Sequence, residues 1–493
     1  MTQELEYLFN PRSVAIIGAS ESPLGSGMFM ISLMEMGFSK IFPINPRGGK
    51  VYGFKTYPNV KDVPEPVDYA IISVPAKIVP KVVEDCMEKG VKAAQIFTSG
   101  FSEVGKEGKK LEERISEIAK GRVRIIGPNC MGIYCPASKL SYLPGSPKEE
   151  GSVSLISQSG RYATFAIILA NRFGIKFNKI ISFGNACDLD STDFLEYLGD
   201  DPETKIITMY VEGVTDGKRF FNTLKEVTKK KPVIIWKGGR TEEGSNAAAS
   251  HTGSLAGSNL IWESLFKQAG VISVKSMDEL LDVISAFLHL PPPKGRNMAI
   301  LTGGGGETVT SADACVDEGL NLVPFDQETI ERLKEILYIP GTILRNPLDY
   351  SGLGFMPGII GRLIEVVAED ENVDILLVLL FTDPALLKNM MGTSIAQQFL
   401  GAEQFTPAQS DEGVSSDLLK DFIGASMNDL IRMKEEIKKP MVAIVPMAAE
   451  DREAALKFQE AGIPIYPSFE RALKAISKLI EYHEFLRRRH EIL

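Results

Sequence analysis

The chain has 493 residues, 44% hydrophobic and 24% charged, with a formal net charge of −10 at pH 7, which suits about three domains with ordinary cores. The acidic balance argues against non-specific nucleic-acid binding, and no apolar run approaches the roughly eighteen residues of a membrane helix. The acidic start MTQELEYLFNPRSVAIIG reads as a lead into a strand and not as an export signal, and five cysteines (Cys86, Cys130, Cys135, Cys187, Cys315) without CxxC spacing predict neither disulfides nor a zinc site.

Short β-branched runs alternate with amphipathic helical stretches, which predicts α/β domains with parallel sheets. The first unit has strands at Ser13–Ile17, Lys40–Ile44, Tyr69–Ser73, Ala93–Ile96 and Arg124–Ile126, a doubly wound domain. Its first strand runs into the glycine turn Gly18–Gly27, which lacks G-x-G-x-x-G spacing. Its second ends Ile44-Asn45-Pro46-Arg47, where an NAD site needs an acid for the ribose hydroxyls. Asn45 and Arg47 offer a cation instead, suited to a phosphorylated ribose or an adenosine 3′-phosphate. The same turn also fits an ordinary strand-to-helix connection. Ser141–Gly151, proline- and charge-bearing, marks a boundary.

The second unit opens at Val153–Gly160 and continues through strands near Ile206–Tyr210 and Val233–Trp236 to a helix at about Ser276–Leu288. Pro291–Gly295 reads as a linker. The third unit opens at Met298–Gly306 and has a strand at Met441–Val445 near its end. The second and third units begin alike, with strand, small-residue turn, helix and then Gly174 or Gly319, which predicts two related α/β units. The turns Ser157-Gln158-Ser159-Gly160 and Thr302-Gly303-Gly304-Gly305-Gly306 leave helix-start N–H groups pointing outward, an anion or phosphate site. Close helix–sheet packing also explains either turn alone. Lys388–Ile423 is polar and weakly periodic, an insertion or surface excursion.

His251 is one of four histidines and lies in the small-residue run Ala247–Gly257. Flanks of so little bulk predict an imidazole presented on a flexible loop, a good nucleophile for phosphoryl transfer. A mobile surface histidine is the plainer alternative. Glu212 falls at the C-terminal end of a parallel strand, where open α/β sheets bind ligands, and could accept the imidazole N–H.

PRSVAIIGAS, PINPR, SVPA, GPNCMG, ISQSG, SFGNACD, YVEG, AAASHTGSLAG and RNPLDYSG, in this order along nearly the whole chain, resemble the NDP-forming acyl-CoA synthetases. Within that family the chain is similar in particular to the α subunit of archaeal-type ADP-forming acetyl-CoA synthetase, with succinyl-CoA synthetase a more distant relative. The resemblance implies a Rossmann-like CoA-binding domain at 1–145, followed by two flavodoxin-like succinyl-CoA-synthetase-type domains at 150–290 and 296–493. Coenzyme A would be held by Gly18, Ala19, Ser20, Asn45, Arg47, Val74, Pro75, Pro128 and Asn129. His251 would carry the phosphoryl group, Glu212 would orient it, and the helix starts at Ser159-Gly160 and Gly304-Gly305 would grip phosphate.

CoA would be a substrate, with no cofactor tightly bound in this chain and no metal site. ADP or ATP with Mg would belong to an ATP-grasp β subunit, in a cytoplasmic α2β2 assembly with no membrane or nucleic-acid partner. Arg161 after SQSG, Glu307 after the glycine run, Cys187 and the long Lys388–Ile423 stretch depart from the family pattern. A non-catalytic CoA-sensing or scaffold protein and an NAD(P)-dependent oxidoreductase are the alternatives.

Overall fold

Runs such as Val14–Ile17 and Tyr69–Ile72 have apolar side chains at every position, so each can be stable only as a strand covered on both faces. Amphipathic helices supply that cover. The computed structural model describes residues 2–23, 25–252, 258–337, 341–355, 358–380, 427–428, 430–446 and 452–490. The stretch Lys388–Ile423 lies outside the described residues. The chain divides into two units, Met1–Asn171 with Ile175–Leu280, and Arg172–Gly174 with Leu281–Leu493.

Among the described residues the first unit holds two large sheets and the short antiparallel pair Lys50–Val51 and Phe54–Lys55. In the first, the parallel strands stand in the order Ile41–Ile44, Val14–Ile17, Tyr69–Ile72, Ala93–Ile96, Arg124–Ile126. Numbered along the chain this is 2-1-3-4-5, so the winding reverses between Val14–Ile17 and Tyr69–Ile72. A ligand crevice is expected outside the carboxyl ends of those two strands. Ala15, Ile17, Ala70 and Ile72 pack with Val83 and Ile115 from the flanking helices as part of the core.

Arg12 and Asp68 staple the opposite ends of the same two strands. The guanidinium reaches Asp68 at 2.8 and 3.1 Å and the Arg12 N–H adds a third bond. Hydrogen bonding from Arg12 holds the Asp68 carboxyl down at about 2, against the opposing effect of burial. A carboxyl depressed in the folded state contributes stability above the ordinary carboxylate range, and loses it as pH falls through the folded value. Asp68→Asn should therefore lower Tm at neutral pH, and its deficit against the parent should narrow as pH falls from about 4 toward 2. A deficit that stays constant on acidification would refute the assignment.

In the second sheet the parallel strands run Ile272–Val274, Val233–Lys237, Ile206–Val211, Val153–Ser157, Phe177–Ser182, and Gly132–Tyr134 pairs antiparallel with the last. The parallel part repeats the 2-1-3-4-5 order. Phe177–Ser182 and Ile272–Val274 are additional to the strands expected from sequence. Because Gly132–Tyr134 already belongs to this sheet, the chain leaves the first sheet at Gly127-Pro128-Asn129, ahead of Ser141–Gly151. Asn185 and Cys187 donate backbone N–H bonds to Pro128 and Gly127 across this crossing, both at 3.0 Å. Gly184 has φ +58°, and a Cβ there would run into the Pro128 and Asn129 carbonyls. Only glycine satisfies both demands.

The second unit is built on the parallel strands Asn321–Leu322, Asn297–Thr302, Ile375–Leu379, Met441–Ile444 and Ile465–Tyr466, again 2-1-3-4-5, with Leu348–Asp349 also pairing to Asn297–Thr302. Val153–Ser157 and Asn297–Thr302 each feed a helix of 13 residues, Gly160–Arg172 and Gly305–Asp317. Gly174 and Gly319 follow at φ 66° and 68°. The internal likeness read from sequence is thus a likeness of local geometry. Among the described residues no helix is long and apolar enough to cross a membrane.

Candidate active site

The winding reversal in the first sheet opens a cavity of about 580 Å³. Gly18, Ala19, Ser20, Asn45, Arg47, Val74 and Pro75 all line it. Gly18 has φ +88°, and a Cβ there would meet the Ser73 carbonyl, so the first strand end can approach the third only as glycine. The Asn45 amide is already engaged: it donates to Ala19 O at 2.9 Å and accepts the Arg47 N–H at 2.9 Å. Asn45 therefore sets the two strand-end turns against each other, which leaves the exposed Arg47 guanidinium as the group from that turn suited to an anion.

Sequence reading missed Asn59, Lys81 and Asp85 on the cavity wall. Burial works to raise the Asp85 carboxyl, but hydrogen bonds from Asn59, Lys61 and Lys81 outweigh it and keep the group ionised. Its charge is thereby offset. Pro128 and Asn129 are not among the lining residues. They are linked to the cavity through Thr98, whose hydroxyl donates to Val74 O at 2.7 Å and whose carbonyl accepts the Asn129 N–H at 3.0 Å.

The winding reversal of the second sheet lies between Val153–Ser157 and Ile206–Val211, and it brings the Gln158 turn against Glu212. Gln158 Oε1 accepts the N–H groups of Glu212 at 2.8 Å and Gly213 at 3.3 Å. The Tyr210 hydroxyl donates to Glu212 Oε1 at 3.1 Å, and Lys237 Nζ donates to Glu212 O at 2.7 Å. Tyr162 and Trp236 hold the Tyr210 ring, with centroids 4.6 and 5.0 Å from it. Burial, then the nearby Glu212 charge, keeps the Tyr210 phenol protonated and able to donate. Glu212 is 8% exposed. This is a carboxylate held at both backbone and side chain, as an acid that must fix a partner's orientation requires.

His251 lies in the last turn of the helix Glu242–Thr252. The loop expected from its small-residue flank is therefore helix as far as Thr252. Alanine has the highest helix propensity, and Ala247–Ala249 propagate the turns that Glu242 and Glu243 begin at the favourable N-terminal end. The His251 side chain and residues 253–257 lie outside the described residues. The helix passes beside the turn Ser102–Val104 of the first sheet's domain. In that turn Glu103 accepts the Asn185 amide at 2.7 Å.

Ser159 and Gly160 stand at the start of the helix Gly160–Arg172, where Ser159 Oγ accepts the Tyr162 N–H at 3.4 Å. Gly304 caps the helix Gly305–Asp317. Glu307 reaches back to accept the Gly303 N–H at 3.3 Å. Burial pushes the Glu307 carboxyl up, that hydrogen bond opposes the shift, and Asp349 adds to it. Both turns named from sequence are thus true helix starts. Among the described residues no cluster of three or more His, Cys, Asp or Glu could hold a metal ion.

A CoA binding domain model matches residues 12–136, and a succinyl-CoA ligase like flavodoxin domain model matches residues 150–287. The chain is 39% identical over 482 residues to the alpha subunit of ADP-forming acetate–CoA ligase II of Pyrococcus furiosus, with 97% of each chain covered. It is 45% identical over 352 residues to an ADP-forming acetate–CoA ligase of Methanocaldococcus jannaschii, covering 71% of this chain and 49% of that one. Among solved structures it matches the dinucleotide forming acetyl-coenzyme A synthetase 1 of Ca. Korarchaeum cryptofilum in complex with phosphate and ADP. The TM-score is 0.80, the identity 33%, and 99% of each chain is covered.

Proposed function

The chain belongs to the family of ADP-forming acetate–CoA ligase alpha subunits, and on that premise we propose that it interconverts acyl-CoA, ADP and phosphate with carboxylate, ATP and CoA together with a partner subunit. Phosphate displaces CoA from the acyl carbonyl and gives an acyl phosphate. A His251 nitrogen attacks its phosphorus and releases the carboxylate. The phosphoryl group then passes from His251 to ADP. The observation that carries the reading is Glu212, whose backbone is held by Gln158 and Lys237 and whose carboxylate accepts the Tyr210 hydroxyl, in the domain whose helix bears His251. An acid held in this way can keep one imidazole nitrogen protonated and the other nucleophilic.

CoA occupies the cavity of the first domain, with Gly18, Ala19, Ser20, Val74 and Pro75 close to its backbone and Arg47 on its phosphate. Pro128 and Asn129 support the acyl end, and the helix starts at Ser159-Gly160 and Gly304-Gly305 hold phosphate. The working modules are residues 1–145, 150–290 and 296–493. The partner is an ATP-grasp β subunit that brings ADP and Mg in a cytoplasmic α2β2 complex. The M. jannaschii relative, named without subunits and twice as long as the part matched, supports this division of labour.

Purified alone, the chain should bind CoA yet make no ATP from acyl-CoA, phosphate and ADP, and an ATP-grasp subunit should restore turnover. ATP synthesis by the chain alone would sink the two-subunit reading, and CoA binding without any phosphorylation in the complex would favour a sensor. Arg47→Glu should weaken CoA by about tenfold or more while leaving dephospho-CoA nearly unchanged, since a charge-assisted contact is worth about 1.5–3 kcal/mol. Calorimetry that finds equal losses for the two ligands would remove Arg47 from the 3′-phosphate.

A further inference from the structure

Lys237 is the last residue of the strand Val233–Lys237, in register with Val211, and it is only 2% exposed. Its ammonium donates to the carbonyls of Glu212, at 2.7 Å, and Gly238. It also lies 5.2 Å from the centroid of the Trp262 ring. Gly238 in turn donates its N–H to Val211 O at 2.9 Å. Burying a cation is costly, and an apolar side chain of similar length would fill the same space more cheaply. Two carbonyl contacts and a positive charge beside Glu212 are what the ammonium adds over such a side chain.

Those two carbonyls belong to different parts of the site. Glu212 O is the backbone of the orienting acid. Gly238 O begins the segment Gly238–Thr241 that launches the helix Glu242–Thr252, on which His251 sits. We propose that Lys237 is a positioning residue for phosphoryl transfer, tying the strand end that bears Glu212 to the root of the helix that bears His251. The inference deepens the ligase reading and rests on it. Burial lowers the ammonium to about 8, with the Glu212 charge working in the opposite direction, so at neutral pH the lysine remains mostly charged and able to donate both bonds.

The test uses the complex with its ATP-grasp partner. Lys237→Met should fold, bind CoA with the parent affinity and keep KM for acyl-CoA. Labelling of His251 from acyl-CoA and radioactive phosphate should slow about 100-fold, the scale of an ångström of misplacement. Lys237→Gln keeps a donor without the charge and should fall between the two. If Lys237→Met does not fold, Lys237→Gln decides by the same split between CoA affinity and labelling rate. Labelling at the parent rate in the folded variant would overturn the proposal. So would CoA affinity, Tm and labelling falling together, the signature of a packing role. No label on the parent complex would overturn the ligase reading itself, an outcome separable from the other two.

Discussion

Replacing His251 with alanine should abolish ATP formation in the complex, a loss of at least about 1,000-fold that leaves only background, while CoA binding is unchanged. The imidazole is the proposed acceptor of the phosphoryl group, and alanine has no atom that can form the phosphorus–nitrogen bond. The fold should tolerate the change. His251 lies in the last turn of the helix Glu242–Thr252, and alanine favours the helix over histidine by about 0.5 kcal/mol. Phosphate label should vanish from the chain, and Tm should hold or rise slightly. Turnover at the parent rate in this variant would rule out a phosphohistidine.

Glu212→Gln should slow phosphorylation by about 10²–10⁴-fold with Tm little changed, the range expected when a positioned general base or its charge is lost. Glutamine keeps the volume, and its side-chain oxygen can still accept the Tyr210 hydroxyl that now lies 3.1 Å from Oε1. The N–H bond to Gln158 Oε1 and the Lys237 bond to the Glu212 carbonyl do not involve the carboxylate and should survive. What disappears is the negative charge that supports a positive imidazole and raises the proton affinity of Lys237. Rapid-quench labelling measures the first effect. An unchanged rate would uncouple Glu212 from His251.

Much of the fold is legible in the sequence. Val14–Ile17, Tyr69–Ile72, Ala93–Ile96 and Arg124–Ile126 lie within a residue of the expected strands, because short runs dominated by apolar residues between turns leave little choice but a covered strand. Phe177–Ser182 escaped because Asn178 and Lys179 interrupt its apolar pattern. Both are buried through Asp201, which accepts Asn178 Nδ2 at 3.0 Å and Lys179 Nζ at 2.8 Å. The helical course of residues 247–252 was in the alanine run, but the small-residue composition pointed to a loop.

Legible in the residues alone were most of the strands, the two helix-start turns, the likeness of the second and third units, and the residue types of the cavity and the acid. These are local properties, decided within a turn or a strand by side-chain volume, helix propensity and glycine's freedom at positive φ. The tertiary structure decided which strand ends meet. The repeated 2-1-3-4-5 order sets Gly18 beside Val74 and Gln158 beside Glu212. It also made Asn45, on the cavity wall, a brace between two strand-end turns, and it brought Lys237 and Tyr210 to Glu212. Those roles depend on hydrogen bonds formed once distant strands align in register, and in the linear chain a buried lysine or amide gives no sign of which carbonyl it will find.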